Sequence, residues 1–260
     1  MRKNHIVFTK CSIFIILFTG VLLPELSAAL TDNLKGYWRF ESPSWFAANE
    51  VCSWIGADNE VTDSSFSGSD GTANNFGQST VSGKVGHAAS FDGLTRFITV
   101  NSINQSSWAN GTISLWMKTS VTSDPDVYQY LFQRGTGARP ELAIRETGLF
   151  RFGIYDGTTN YTLYSSTGYN DNQWHQVTVT WGSGGMKMYV DGALVSSNTF
   201  TGTFQNIEAP WYIGAKNAGG SNYFNGSIDE VAIWSRALSA AEITQLYNEG
   251  KGMVITVGSK

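Results

Sequence analysis

Along most of this chain hydrophobic and polar side chains alternate with a period of two, and the period lengthens only near the end. TISLWMK (112–118), YQYLFQR (128–134), ELAIRE (141–146), LFRFGIY (149–155), NYTLYS (160–165), WHQVTVTW (174–181) and MKMYVDG (186–192) follow one another as short runs separated by turn residues. Such alternation sends successive side chains to opposite faces and predicts half-buried β-strands. The breaks carry Gly148, Asp156-Gly157, Gly182 to Gly185 and Asp191-Gly192, which supply the positive φ angles that hairpins need. Upstream, LKGYWRFE (34–41) predicts a first strand with Trp38 and Phe40 opposite Tyr37 and Arg39, and RFITV (96–100) another. NGSIDEVAIW (225–234) predicts a last strand, with Ile228, Glu230 and Ala232 on one side and Asp229, Val231 and Ile233 on the other.

Helical spacing begins only at Ser239. Ser239 and Glu242 form a capping box, Leu238, Ile243, Leu246 and Tyr247 make one apolar stripe, and Gly250 stands where a helix stops. The predicted fold is all-β: a two-sheet antiparallel sandwich with a short C-terminal helix. Its shared core is expected to hold Trp38, Ile113, Leu115, Val177, Val179, Ile213, Val231 and Ile233, with Trp116 and Trp234 mostly buried.

The first 29 residues are read as a signal peptide rather than fold. Arg2, Lys3 and Lys10 precede an apolar run from Cys11 to Leu23, and Ser27-Ala28-Ala29 offers a cleavage site after Ala29. The expected product is secreted, extracellular or periplasmic, a monomer without membrane insertion after cleavage. Residues 30–253 are expected to form one domain, with an insertion at about 42–62, and 254–260 a tail. Cys52 is then the sole cysteine, expected as a buried thiol with an intermolecular bridge as the alternative, in an aromatic insertion that either covers the sandwich or offers a ligand platform. The chain carries a net charge of −4, which argues against a nucleic-acid partner.

Catalytic motifs are missing. His87 and His175 have no partner at metal-ligand spacing, and neither a G-x-S-x-G elbow nor a phosphate-binding loop occurs. Binding remains. Sugar rings present apolar C–H faces ringed by hydroxyls and are met by flat aromatics with Asn, Asp and Gln. Tyr155, Asn160, Tyr161, Tyr164, Tyr169 and Asn170 offer that mixture, and Asn217, Asn222, Tyr223 and Asn225 offer it again.

Several blocks also carry a family resemblance. NGSIDEVAIW (225–234), DSSFSGSDGTANN (63–75), GKVGHAASFDG (83–93), WHQVTVTWGSGGMKMYVDGALV (174–195) and YIGAKNAGGSNYFNGSIDEV (212–231) together resemble the laminin-G-like jelly-roll domains of the concanavalin A-like lectin/glucanase superfamily. The resemblance implies a jelly roll and a binding module for a glycan or polysaccharide, with an extracellular protein as the alternative partner. Glucanases of that superfamily use Glu-x-Asp-x-x-Glu; the nearest match, Ser227 to Ala232, lacks both outer glutamates, so no enzyme is expected. The resemblance further implies a structural calcium ion, for which Asp229, Asp92, Glu41, Asp70 and Asn75 are the oxygen donors it points to. The competing expectation is that Asp92 caps its own turn and Asp229 pairs with a Lys or Arg.

Overall fold

A computed structural model describes residues 29–41, 60–65, 67–76, 80–101, 103, 108–121, 127–135, 140–145, 147–204, 209–217 and 222–255. Cys52, most of the expected insertion and nearly all of the expected signal peptide lie outside the described residues. The strands are β1 (Leu34–Trp38), β2 (Glu60–Val61), β3 (Gly71–Asn74), β4 (Thr80–Ser82), β5 (His87–Asp92), β6 (Phe97–Val100), β7 (Gly111–Lys118) and β8 (Gln129–Arg134). They continue with β9 (Glu141–Ile144), β10 (Phe150–Tyr155), β11 (Asn160–Tyr164), β12 (His175–Trp181), β13 (Met186–Val190), β14 (Ala193–Asn198), β15 (Trp211–Ile213) and β16 (Asn225–Trp234), and the helix α1 (Ala240–Tyr247) follows.

Two eight-stranded sheets form. In one the order is β14-β13-β12-β7-β16-β5-β4 with β1 also paired to β16; in the other it is β11-β10-β9-β8-β15-β6-β3-β2. We call them the A sheet and the B sheet. Every pairing is antiparallel. All eight expected core residues fall in the single cluster between the sheets, where Phe152 of the B sheet meets Trp181 of the A sheet at 6.1 Å between ring centroids. Each fully buried aliphatic or aromatic side chain contributes roughly 1.5–3 kcal/mol through the apolar area it removes from water. Trp116 and Trp234 are buried as well, but on the outer face of the A sheet.

That outer face is covered. Tyr37, Tyr189, Ala232 and Trp234 of the sheet pack against Leu238, Ile243 and Leu246 around α1 and against Ile255 beyond it. The capping box is present as expected, Ser239 and Glu242 each bonding the other's backbone N–H. The helix stops earlier than Gly250: Asn248 takes the left-handed conformation and its N–H returns to the Thr244 carbonyl, so the cap is asparagine. Among the described residues the corresponding face of the B sheet carries a small cluster of Phe97, Tyr212 and Ala215, with Tyr223 against it.

β16 departs from strict alternation. Asp229 pairs with Trp116 and Ala232 with Ser114, so two residues of β16 oppose the single Leu115. The extra residue of this β-bulge is Glu230, held at φ 50°. The expected alternation therefore fails within the strand: Ile228, Val231 and Ile233 reach the core, whereas Asp229, Glu230 and Ala232 all face outward. Asp229 and Glu230, predicted to lie on opposite faces, share one. A non-glycine residue in the left-handed region of a strand costs about 1 kcal/mol.

Candidate functional site

Two places gather polar chemistry. The first is the outer face of the B sheet between β11 and β15. Alternation in β10 sends Phe150, Phe152 and Ile154 into the core and leaves Arg151, Gly153 and Tyr155 outside. Pairing carries the outer row onward: Arg151 lies opposite Tyr164 on β11 and Ala143 on β9, and Ala143 lies opposite Tyr130 on β8. Tyr128, two residues before Tyr130, brings its hydroxyl within 3.4 Å of the Tyr164 hydroxyl. The guanidinium carbons of Arg145 and Arg151 stand 5.4 and 5.2 Å from the centre of the Tyr128 ring, and Lys216 Nζ stands 5.8 Å from that of Tyr130. A second row runs Thr162, Gly153, Glu141, Gln133 and Tyr212. Glu141 pairs with Arg151 over Gly153, where a Cβ would come within 3.0 Å of Glu141 Oε1, so glycine leaves room for the pair.

The residues predicted to bind sugar divide between this face and the core. Tyr155, Asn160 and Tyr164 stand on it, with Tyr155 opposite Asn160 and Tyr164 41% exposed. Asn222 lies beside it, its carbonyl accepting the Tyr130 N–H, and Tyr223 packs 6.0 Å from Phe97 on the same side. Tyr161 and Tyr169 do not belong there. Tyr161 stacks on Phe200 at 3.8 Å, and Tyr169 on Phe150 at 5.2 Å with its edge to His175; both pack on the core. They follow the inward phase of β11 and the loop after it, which composition alone did not separate. Tyr128, Tyr130, Tyr212, Arg145 and Arg151 were missed, although FRFGIY and QYLFQR carry the alternation that would have shown them to share a face.

The second place is an acidic cluster on the covered side of the A sheet. Glu230, buried, accepts hydrogen bonds from the Tyr37 hydroxyl and from Arg39 Nε. Asp229 Oδ2 accepts the N–H groups of Lys84 and Val85 at 2.8 and 3.0 Å, and Oδ1 that of Glu230 at 2.8 Å. Glu41 Oε2 accepts the His87 N–H, and Oε1 is buried without a hydrogen bond, 3.5 Å from Arg39 Nη2. The turn from Gly83 to Gly86 cradles both carboxylates: a Cβ on Gly83 would meet Asp229, and one on Gly86, at φ 60°, would collide with Glu41. Burial, with the neighbouring Glu230 and Glu41 charges, pushes the Asp229 carboxyl up to about 8. Burial pushes Glu230 up to about 7 against the pull of Arg39 and Tyr37. A cleft of about 110 Å³ lined by Arg39, Phe40, Glu41, Val61, Thr62 and Ser64 lies beside the cluster.

Of the five predicted calcium donors the structure brings Glu41 and Asp229 together. The others serve local structure. Asp92 Oδ1 accepts the N–H groups of Leu94, Thr95 and Arg96 and so caps its own turn; against the effect of burial these bonds hold its carboxyl well below the usual range. Asp70 accepts the Asp63 N–H, and Asn75, at φ 62°, donates to the Thr95 carbonyl. Among the described residues no three His, Cys, Asp or Glu side chains converge on one point. Among the described residues Asp229 pairs with neither Lys nor Arg; backbone amides take that place. His175 is a hairpin histidine, its Nδ1 2.7 Å from Asp191 and Nε2 3.1 Å from Asp171, which raises its pKa.

A family model described as the concanavalin A-like lectin/glucanases superfamily, of laminin-G type, matches residues 91–244, more than half of the chain. The chain belongs to this superfamily. No curated protein shows significant sequence similarity to it. Among solved structures, the binding domain of Paraclostridial Mosquitocidal Protein 1 superposes with a TM-score of 0.65 at 17% identity, covering 85% of this chain and 53% of that one. Domain 4 of AbnA, an extracellular arabinanase from Geobacillus stearothermophilus in complex with arabinotriose, superposes at 0.60 with 20% identity over 82% and 97%. The botulinum neurotoxin serotype D ligand-binding domain in complex with N-acetylneuraminic acid does so at 0.60 with 21% identity over 86% and 52%. This superfamily member thus spans about half the length of the two toxin domains and nearly all of the arabinanase domain.

Proposed function

We propose that the chain is a secreted, non-catalytic carbohydrate-binding module whose binding surface is the outer face of the B sheet. One observation carries this reading: the exposed Tyr164 and the half-buried Tyr128 stand together on that face among Arg, Asn and Thr side chains, with Tyr130 buried beside them, whereas α1 covers the other sheet. Flat phenols suit the C–H faces of pyranose rings, and the polar groups between them suit the hydroxyl rim. The arabinanase domain bound to arabinotriose has the same fold, which supports a glycan as the partner class. Asp229 and Glu230 support the non-catalytic part, because acid and nucleophile in a retaining hydrolase must both reach the substrate, and here Asp229 is 0% and Glu230 6% exposed.

A structural calcium ion belongs to the same proposal. Glu41 Oε1, buried without a hydrogen bond beside Arg39, and the carboxylate excess around Asp229 fit a hard cation, which Glu41 and Asp229 would hold and which would neutralise their charge.

A glycan array probed with residues 30–260 and with the Tyr128→Ala/Tyr164→Ala double variant tests the binding surface. Losing two stacking rings is expected to reduce signal at least tenfold at roughly 1 kcal/mol or more per ring. Retained binding by the double variant would place the site elsewhere, and an array without any bound glycan would end the carbohydrate reading.

A further inference from the structure

His175 stands where the chain crosses from one sheet to the other. β11 is an edge of the B sheet, β12 lies within the A sheet, and residues 165–174 join them. Alternation in β12 sends Val177, Val179 and Trp181 into the core and puts His175 on the same side at the strand's first position, opposite Met117 of β7. Both of its ring nitrogens meet carboxylates. Nδ1 lies 2.7 Å from Asp191 Oδ2, in the turn between β13 and β14, and Nε2 lies 3.1 Å from Asp171 Oδ1, in the crossover. The crossover also brings the edge of Tyr169, 5.0 Å away between ring centroids, and α1 brings Tyr247 beside Gly192, its hydroxyl raised by burial and by the Asp191 charge. Asp171, Asp191 and these two phenols are the titratable groups that the packed elements gather around the ring; Met117 brings none.

A neutral imidazole carries one N–H, so it donates to one of these carboxylates and sets a lone pair against the other. Only the imidazolium serves both. From this geometry we infer that Asp171, His175 and Asp191 form a pH-operated latch, which ties the crossover to the A sheet while the ring is cationic and releases it as the ring turns neutral. Asp191 keeps the remaining proton, because its contact is the shorter and its side chain is 30% exposed against 56% for Asp171. The crossover side therefore opens. Asp171 Oδ1 also accepts the Gln173 N–H, and the Asn172 N–H donates to the Thr119 carbonyl, so release is felt first at these two amides. Tyr169, whose N–H donates to the Gly148 carbonyl and whose ring stacks on Phe150, keeps the middle of the crossover in place. The bond to Asp191, followed by the charges of both carboxylates, holds the folded imidazole above its ordinary value of 6.5 despite its burial. The latch is thus complete below that value and is lost as pH climbs through the folded one.

The test is nuclear magnetic resonance on residues 30–260 from pH 6 to pH 9. Ring nitrogen shifts are expected to show His175 titrating above its ordinary value and keeping its last proton on Nδ1. Over the same range the Asn172 and Gln173 amides are expected to lose about two- to fivefold of their protection from solvent exchange, corrected for intrinsic rates, while Val177 and Val179 hold theirs. Asp171→Asn, at an exposed position, is expected to lower the His175 midpoint and to flatten the response of both amides. That variant leaves Asp229 and Glu230 as they are, so a response that persists in it belongs to the acidic cluster and overturns the latch. An imidazole that titrates at or below its ordinary value, or wild-type protection at residues 172 and 173 that does not change with pH, overturns it as well.

Discussion

Replacing Arg39 by alanine is expected to destabilise the chain by roughly 2–4 kcal/mol at pH 8 in chelator. The change leaves Glu230 buried with the Tyr37 hydroxyl as its remaining partner and with Asp229 and Glu41 as like-charged neighbours. Removing one partner of a buried pair costs about 3–5 kcal/mol, reduced here because the Arg39 side chain is 30% exposed and screened by water. The loss should shrink at pH 5. Both carboxyls are raised in the folded chain, Glu230 to about 7 and Asp229 to about 8, so the folded state binds protons that the unfolded state releases. Such a group contributes stability below its ordinary carboxylate value and loses it as pH climbs through the folded value. In chelator the wild-type midpoint therefore falls across this window as pH rises, and the variant's falls further. Glu230→Gln removes the charge and keeps a group that can bond Tyr37, so it should change stability by less than about 1 kcal/mol and make Arg39→Ala mild in the same chain. Denaturant unfolding of the four proteins at two pH values decides. An Arg39→Ala loss that is small, or that does not vary with pH, would mean that Glu230 is not held as described.

Added calcium is expected to raise the thermal midpoint by about 5–10 °C when the free ion stands at a hundredfold its Kd, equivalent to about 2.7 kcal/mol. Ligands that bind only the folded chain stabilise it by mass action, and Glu41 and Asp229 come from segments far apart in sequence. The gain should vanish in Asp229→Asn and in Glu41→Gln. It should survive in Asp92→Asn, because Asp92 is engaged with its own turn. A midpoint indifferent to calcium and chelator, or a gain that persists in Asp229→Asn, would remove the ion from the account.

The sandwich was legible because two-residue alternation and core burial express one physical requirement, and Ile113, Leu115, Val177 and Val179 satisfy it without interruption. β3 was not, since Gly71 to Asn74 is small and polar and reads as part of the preceding turn cluster. The acidic cluster was half legible. Asp229 stands out from its place in the last strand, but strict alternation puts Glu230 on the wrong face, because a bulge shifts the phase of a strand without any glycine or proline to announce it. The binding face was legible only in part for a related reason. Tyr164 and Tyr161 are equally plausible in composition, and only the pairing of β11 with β10 sends the first outward and the second onto Phe200.

Amide chemical-shift mapping with the tightest-binding glycan locates the binding surface. Shifts are expected to concentrate at Tyr128, Tyr130, Arg145, Arg151 and Tyr164, with Lys84, Val85 and Glu230 unmoved. Shifts concentrated instead around Glu41, Asp229 and Glu230, or over α1, with β8 to β11 silent, would contradict that placement.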